Sequence, residues 1–176
     1  HFVKMVHNGI EYGDMQLIAE SYDLLKKVGG YSNDELSALF SQWNSTDLSS
    51  YLIEITSEIL KFKDESGTAV VDTILDAAGQ KGTGKWTSIN ALDIGVPLTL
   101  ISESVFARVL SSYKEERVEV SKLYSDVLTD ANPDNSKEFL EDLQQALLFA
   151  KVISYAQGFM LMKVAVLVMM FIVILK

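Results

Sequence analysis

Apolar residues recur at three-, four- and seven-residue intervals along most of this 176-residue chain. The first such stretch runs from Val3 to Val28 and ends at Gly29 and Gly30. This spacing places one apolar stripe along a helix, whereas a half-buried strand would alternate apolar and polar residues. We find no such alternation over five or more residues before the last dozen. The sequence therefore predicts an all-α, multi-helix domain.

Capping residues predict where the next helices begin. Ser32 stands three residues before Glu35, which is the spacing of a capping box, and predicts a short second helix that extends through Trp43. The run Ser45–Asp47 offers a cap for a third helix, whose apolar seam extends from Leu48 to Ile59. Both predictions rest on side-chain oxygens satisfying the free amides at a helix start.

The apolar residues from Val70 to Ala78 fit a helix as well as a short strand, but Asp72 and Asp76 lie four residues apart and would share one face, which favours a fourth helix. The remaining predicted elements are a helix that begins at a Thr87 cap and runs to Leu92, a helix from Leu98 to Leu110, a turn from Asn132 to a capping Ser136, and a long final helix from Phe139.

Composition limits the classes of function. Fifteen Lys and Arg against 24 Asp and Glu give a net charge of −9, which argues against non-specific nucleic-acid binding. The absence of cysteine excludes disulfides, thiolate metal sites and cysteine nucleophiles. Because the chain opens with His1 and has no charged and apolar leader pattern, we expect part of a longer or processed protein without a secretion signal.

The carboxyl end is unusually apolar. From Phe159 to Leu175 the only polar residue is Lys163, yet the run falls short of the ~20 apolar residues that a bilayer span normally needs. A buried helix or strand fits this composition as well as a membrane anchor does. We expect this end to associate with protein surface rather than to span a membrane.

Polar side chains cluster on one face of the first predicted helix. At 100° per residue, Lys4, Asn8 and Glu11 fall within about 60° of one another, with His7 and Tyr12 at the flanks. Lys4 and Glu11 lie two turns apart, on the order of 10 Å, so they can act as a base and an acid at opposite ends of a small polar substrate. A solvated helix face is the alternative. His7 and Glu11 lack a third ligand at usable spacing, so no metal site is predicted.

The glycine-rich run from Gly79 to Thr87 nearly matches the spacing of a nucleotide P-loop. The match fails at Trp86, where a hydroxyl should hold magnesium, and no strand precedes the run. Lys81, Lys85, Thr83 and free amides can still bind a monophosphate, although a plain interhelix turn is equally compatible. Arg108, among apolar neighbours, can clamp an oxyanion or lie on the surface.

Four blocks carry a resemblance to a known family: HFVKMVHNGIEYGDMQLIAESY, GQKGTGKWT, FARVLSSYK and KVISYAQGFMLM. In this order and spacing they resemble the decarboxylating 6-phosphogluconate dehydrogenase family. The resemblance implies that residues 1–162 form part of the helical substrate-binding and dimerisation domain, and that residues 163–176 are a divergent segment. It further implies a cytoplasmic homodimer that acts on 6-phosphogluconate, with NADP bound mainly by an amino-terminal Rossmann domain that this chain lacks, and with no metal.

The resemblance also implies roles for individual residues. Lys4 would be the general base for oxidation of the substrate's 3-hydroxyl, and Glu11 would be the acid that protonates the enediol left after loss of carbon dioxide. The implied substrate contacts are His7 and Asn8 for hydroxyl groups, and Tyr12, Lys81, Thr83 and Arg108 for the sugar phosphate.

The carboxyl end departs from the family pattern. After Met162 the family continues into a tail that supplies an Arg and a His to the partner subunit's active site, and nothing in KVAVLVMMFIVILK matches those residues. We therefore expect the isolated chain to be inactive. The alternative is a non-catalytic helical dimerisation module.

Overall fold

The computed structural model describes residues 1–124 and 134–174, with side chains as far as Phe171. Over these residues the only β contact is an isolated antiparallel bridge between Lys63 and Ala69, so the predicted all-α fold class is confirmed. The helices in this part of the chain are α1 (Phe2–Lys27), α2 (Asn33–Trp43), α3 (Tyr51–Lys61), α4 (Thr83–Asp93), α5 (Thr99–Ser112), α6 (Lys114–Leu123) and α7 (Lys137–Ile174), with a 3-10 helix at Val70–Thr73.

The chain forms two compact units. The first unit comprises His1–Gln16, Ala77–Tyr113 and Ala150–Lys176. It therefore contains the first half of α1, all of α4 and α5, and the second half of α7. Its core consists of Val6, Ile10, Ala91, Val96, Leu98, Ile101 and Leu161.

Hydrogen bonds fix the register of the helices in the first unit. The Thr87 hydroxyl of α4, which is fully buried, donates to the Met5 carbonyl of α1 at 2.9 Å. The Ser154 hydroxyl of α7 lies 3.4 Å from the Ile10 carbonyl, to which it donates. Because the buried Asp14–Lys151 pair follows one turn later on α1 and one turn earlier on α7, these two helices run antiparallel.

The second unit comprises Leu17–Asp76 and Lys114–Phe149. Within it, the predicted capping box is confirmed, since Ser32 and Glu35 bond reciprocally at the start of α2. The rings of Phe40 and Trp43 meet edge to face at 5.2 Å between centroids. The core of this unit consists of Ile18, Leu25, Leu36, Phe40, Trp43, Leu48, Ile53, Leu60 and Leu147.

The cap predicted at Ser45–Asp47 is wrong. The Ser45 hydroxyl donates to the Gln42 carbonyl at 2.7 Å, so it satisfies the end of α2 rather than the start of α3. Ser50 caps α3 instead by accepting from the Ile53 amide. A serine hydroxyl can donate to a free carbonyl at a helix end or accept from a free amide at a helix start, and the local sequence pattern does not show which of the two it does.

The helix predicted over Val70–Ala78 is also wrong, because a short 3-10 helix covers only its first four residues. The Val70 amide donates to the Phe62 carbonyl at 3.0 Å, which folds this segment back on the end of α3. Asp72 accepts from a side-chain amide of α2, whereas Asp76 accepts from two cations of α6. Asp72 and Asp76 therefore bind partners on two different helices, and they do not share one face of a helix as their spacing predicted.

Two further helix boundaries differ from the sequence prediction. Thr87 does not cap α4, because the helix already begins at Thr83 and the Thr87 hydroxyl also binds the Thr83 carbonyl. The charged helix α6 was not predicted at all, since it buries no side chain and has no apolar stripe to reveal it. Of the predicted Asn132–Ser136 turn, residues 132 and 133 lie outside the described residues, but Ser136 caps α7 as predicted, accepting from the Phe139 amide at 3.1 Å.

The carboxyl-terminal part of α7 continues as a helix through residues 162 and 163. Leu161 and Ala165 are buried, whereas the side chains from Val166 to Phe171 are all exposed. Among the described residues, α7 is long and apolar enough to cross a membrane by length and composition alone, with 28% of its most apolar window buried. The division predicted between residues 162 and 163 stays a prediction.

Candidate active site

A cleft of about 560 Å³ lies in the first unit, between the start of α1, the segment that precedes α4, and α5. Its lining combines amide, hydroxyl, phenol, ammonium and guanidinium groups without a carboxylate. Such a set of donors suits an anionic, oxygen-rich ligand. The residues that line it are Asn8, Tyr12, Gly79, Gln80, Lys81, Thr83 and Arg108.

The Arg108 guanidinium is held from several sides within this cleft. Its Cζ atom lies 4.0 Å from the centroid of the Tyr12 ring, an arrangement in which the cation faces the negative π surface. Nη1 donates to the Gly79 carbonyl at 3.3 Å, and Nη2 lies 3.7 Å from the Met15 sulfur. These contacts orient the planar group while leaving several of its five N–H donors for a ligand.

Glycines allow the start of α4 to turn tightly and to pack closely on Tyr12. Gly82 precedes α4 with a φ of 96°, a conformation that L side chains rarely adopt. A Cβ at Gly84 would lie 2.8 Å from Tyr12 Cδ1 and 3.0 Å from Val105 Cγ2. The resemblance of this run to a P-loop therefore reflects a tight turn and close packing on Tyr12, not the cradle of a nucleotide-binding loop.

The other three predicted residues lie on α1 outside the lining of the cleft. Lys4 is exposed, one turn before Asn8. The His7 Nδ1 and Glu11 Oε2 atoms lie 3.6 Å apart, with 67% and 44% of their side chains exposed. All three occupy the turns of α1 that lead to Asn8 and Tyr12, so the helix presents acid–base groups beside the cleft.

The structure adds a buried charge pair that the sequence did not reveal. Lys151 Nζ of α7 lies 2.5 Å from Asp14 Oδ2 of α1, and the two residues are 7% and 4% exposed. Asp14 Oδ1 has no hydrogen-bond partner among the described residues. Partial burial raises the pKa of the Tyr155 phenol above its ordinary value, and the negative charges of Asp14 and Glu11 raise it further.

The cleft also includes contacts that were not singled out from the sequence. Gln80 lines it, and the Gly79 carbonyl and Met15 sulfur orient Arg108. Gln80 and Gly79 lie within the glycine-rich run that the sequence analysis identifies. Met15 has no distinctive sequence signal, because it looks like an ordinary apolar residue of a helix. Within the described residues, no group of three or more His, Asp or Glu side chains is placed to hold a metal ion.

Comparison with known proteins decides the family. The profile described as 6-phosphogluconate dehydrogenase, C-terminal domain, matches residues 1–173. The chain belongs to this family. The resemblance predicted from the four sequence blocks is therefore confirmed.

Relatives of this family member are similar over nearly all of its length. A decarboxylating 6-phosphogluconate dehydrogenase of Lactococcus lactis is 63% identical over 160 residues, which cover 90% of this chain and 34% of the relative. A decarboxylating 6-phosphogluconate dehydrogenase of Saccharomyces cerevisiae is 58% identical over 94% of this chain and 34% of its own length. The chain thus spans about a third of the length of these relatives.

A solved structure is similar in fold as well as in sequence. The 6-phosphogluconate dehydrogenase of Plasmodium falciparum superposes with a TM-score of 0.85 at 48% identity, over 92% of this chain and 35% of that one. That protein was determined in its apo form, with its cofactor NADP+ and with its substrate 6-phosphogluconate.

Proposed function

We propose that this chain is the substrate-binding part of an NADP-dependent enzyme that oxidatively decarboxylates 6-phosphogluconate to ribulose 5-phosphate and carbon dioxide. The observation that carries the proposal is the cleft in which Asn8, Tyr12, Lys81, Thr83 and Arg108 meet. Its two cations and its hydroxyl and amide donors suit the phosphate of a sugar acid, and the acid–base residues of α1 lie beside it.

The phosphate end of the substrate is assigned to Tyr12, Lys81, Thr83 and Arg108. A phosphate accepts paired hydrogen bonds from a guanidinium, and the contacts of Arg108 with Tyr12 and Gly79 set the plane of that group. Lys81 is exposed and adds a positive charge at the same end.

The acid–base steps are assigned to Lys4 and Glu11, with His7 and Asn8 contacting substrate hydroxyl groups. Lys4 in its neutral form takes the proton of the 3-hydroxyl as the hydride leaves carbon 3. The resulting 3-keto acid loses its carboxylate as carbon dioxide, and Glu11 then protonates carbon 1 of the enediol. Lys4 and Glu11 lie about two turns apart on one helix, so each can reach a different carbon of one substrate.

NADP supplies the hydride acceptor when it is bound, but the residues of this chain do not fit its dinucleotide. A dinucleotide fold needs a parallel sheet with a glycine-rich strand-to-helix turn, and the described residues offer helices and a single β bridge. We therefore assign NADP binding to sequence outside this chain, in keeping with relatives about three times as long. We also propose a homodimer in the cytoplasm for the whole enzyme.

The proposal is tested in a full-length enzyme that carries this chain. Lys4→Ala and Glu11→Ala should each lower turnover by roughly a hundredfold or more, the scale of a lost general base or acid. Lys85→Ala is the control, because Lys85 is an exposed lysine on α4 rather than on α1 and has no assigned role in the reaction. Unchanged turnover in both α1 variants would contradict the catalytic assignment and would favour the helical dimerisation module.

A further inference from the structure

The segment that leads into α4 is attached to α5 through one serine. The Ser111 hydroxyl accepts from the Ala78 amide at 2.9 Å, across 33 residues of sequence. The same hydroxyl donates to the Arg108 carbonyl at 2.7 Å, one turn earlier on α5. A hydroxyl can do both at once because it has one donor and two acceptor sites. Ser111 therefore joins the backbone of the segment to the backbone of the residue that carries the guanidinium.

A second bond closes the same small network. Arg108 Nη1 donates to the carbonyl of Gly79, the residue that follows Ala78. Two consecutive residues of the segment are thus held by α5, one at its amide and one at its carbonyl. Gln80 and Lys81 follow directly and line the cleft. The distance between Lys81 and Arg108 accordingly depends on where Ala78 and Gly79 are held.

We propose that Ser111 is a positioning residue for the phosphate end of the cleft. It sets the separation of Lys81 and Arg108 without itself lining the cleft. This inference rests on the proposed function, since it assigns a role relative to the phosphate of 6-phosphogluconate. The ordinary alternative is that Ser111 only satisfies a helix carbonyl, as serines in helices commonly do.

Ser112 provides a matched control on the same helix. Its hydroxyl donates to the Val109 carbonyl at 2.6 Å in the same manner, but its side chain is exposed and, within the described part of the chain, makes no hydrogen bond to the segment before α4. Ser111→Ala and Ser112→Ala thus lose the same bond within the helix. Only Ser111→Ala also loses the bond to Ala78.

The test measures binding of 6-phosphogluconate and of gluconate, which lacks the phosphate, to the full-length enzyme by calorimetry. Ser111→Ala should raise the dissociation constant for 6-phosphogluconate by roughly threefold to tenfold, the effect of one net hydrogen bond, while gluconate binding changes little. Ser111→Thr keeps the hydroxyl and should restore the affinity. Ser112→Ala should bind 6-phosphogluconate as the unaltered protein does.

Equal affinities of Ser111→Ala and Ser112→Ala for 6-phosphogluconate would overturn the inference. If Arg108→Ala still lost affinity in that case, the proposed function would stand and only the role of Ser111 would fall. An unaltered protein that does not distinguish 6-phosphogluconate from gluconate would instead overturn the phosphate assignment itself, and the role of Ser111 with it.

Discussion

Arg108 and Lys81 each bring a positive charge to the cleft, but their side chains differ in how many contacts hold them in place. The guanidinium is in contact with Tyr12, Gly79 and a sulfur atom before any ligand binds, whereas the Lys81 ammonium is exposed. Ordering a long side chain costs about 0.5–1.5 kcal/mol on binding, and Arg108 has already met most of that cost. We therefore expect Arg108 to define the position of the phosphate and Lys81 to add attraction.

In a full-length enzyme, Arg108→Ala and Lys81→Ala should raise the Michaelis constant for 6-phosphogluconate more than they lower turnover. The reason is that a remote phosphate is held alike in the ground state and in the transition state. Steady-state kinetics with Lys85→Ala as the control would measure both constants. If gluconate were affected as strongly as 6-phosphogluconate, these two cations would have another role.

Gly84→Ala should destabilise the chain by about 1–3 kcal/mol, because the new methyl group overlaps the Tyr12 ring and Val105. Alanine is intrinsically better than glycine inside a helix, so a loss of stability would report the overlap alone. Thermal unfolding measures the change. Gly79→Ala is the control, since no atom lies within 4 Å of a Cβ placed there. Equal stability of the Gly84 variant and the unaltered protein would show that the ring moves freely.

The pairing of α1 with α7 depends on two charges that are almost fully buried. Lys151→Met leaves the Asp14 carboxylate buried without its partner, which should cost about 3–5 kcal/mol of unfolding free energy. Asp14→Leu combined with Lys151→Met removes both charges and should recover most of that loss. Chemical denaturation of the single and double variants measures the difference. A double variant that is no more stable than the single one would show that the pair itself, not its desolvated charge, stabilises this contact.

The carboxylate of Asp76 binds two cations in the first half of α6, Lys114 and Arg117, and its pKa is lowered. Hydrogen bonds from Lys114 and from Arg117 lower the pKa of Asp76 from 3.8 to about 2. A carboxyl with a lowered folded-state pKa contributes stability above about pH 4, and this contribution is lost as the pH falls towards 2.

Asp76→Asn should therefore lower the unfolding temperature at pH 6, and the difference from the unaltered protein should shrink between pH 4 and pH 2. Thermal scans across this range measure the difference. Asp93→Asn is a suitable control, since Asp93 is an exposed carboxylate at the end of α4. A difference that stays constant with pH would show that the ionised form of Asp76 is not what holds α6.

Local pattern predicted the elements in which the stabilising bonds are also local. The Ser32–Glu35 box spans three residues and was recognised directly, as was the cap at Ser136. The segment over Val70–Ala78 failed because its carboxylates bind partners far away in the sequence.

The candidate site likewise contains residues that local sequence pattern predicts and long-range contacts that it does not predict. Asn8 and Tyr12 share a helix face that spacing reveals, and Lys81 lies in a run whose glycines are conspicuous. The Asp14–Lys151 pair joins residues 137 positions apart, so no local signal could indicate it. The link from Ser111 to Ala78 likewise looks in sequence like any helix serine.

At the scale of the whole molecule, the exposed apolar end of α7 sets the solution behaviour. A continuous run of exposed side chains from Val166 to Phe171 is unfavourable in water, at about 25 cal/mol per Å² of apolar surface. Deletion of Val164–Lys176 should therefore raise solubility and reduce the size of oligomers, as measured by light scattering and gel filtration.

Liposome flotation of the intact and the shortened chain tests whether the apolar end binds a membrane rather than a protein surface. Association through protein surfaces predicts that neither chain floats, because the exposed apolar side chains would then be covered by protein. Flotation of the intact chain that disappears on deletion would show that this end binds membrane instead.

The first unit, which contains the cleft, is built from segments that lie far apart in the sequence and are therefore synthesised at different times. The bond from Thr87 to Met5 spans 82 residues, the contact of Arg108 with Met15 spans 93, and Lys151 reaches back to Asp14 across 137. Such distant contacts must overcome loop-closure entropy before they contribute stability, which slows folding. On the ribosome, α1 therefore emerges long before the residues that orient its polar face. The apolar stripe of α1 therefore stays exposed until the later residues of its core, from Ala91 to Leu161, have been made.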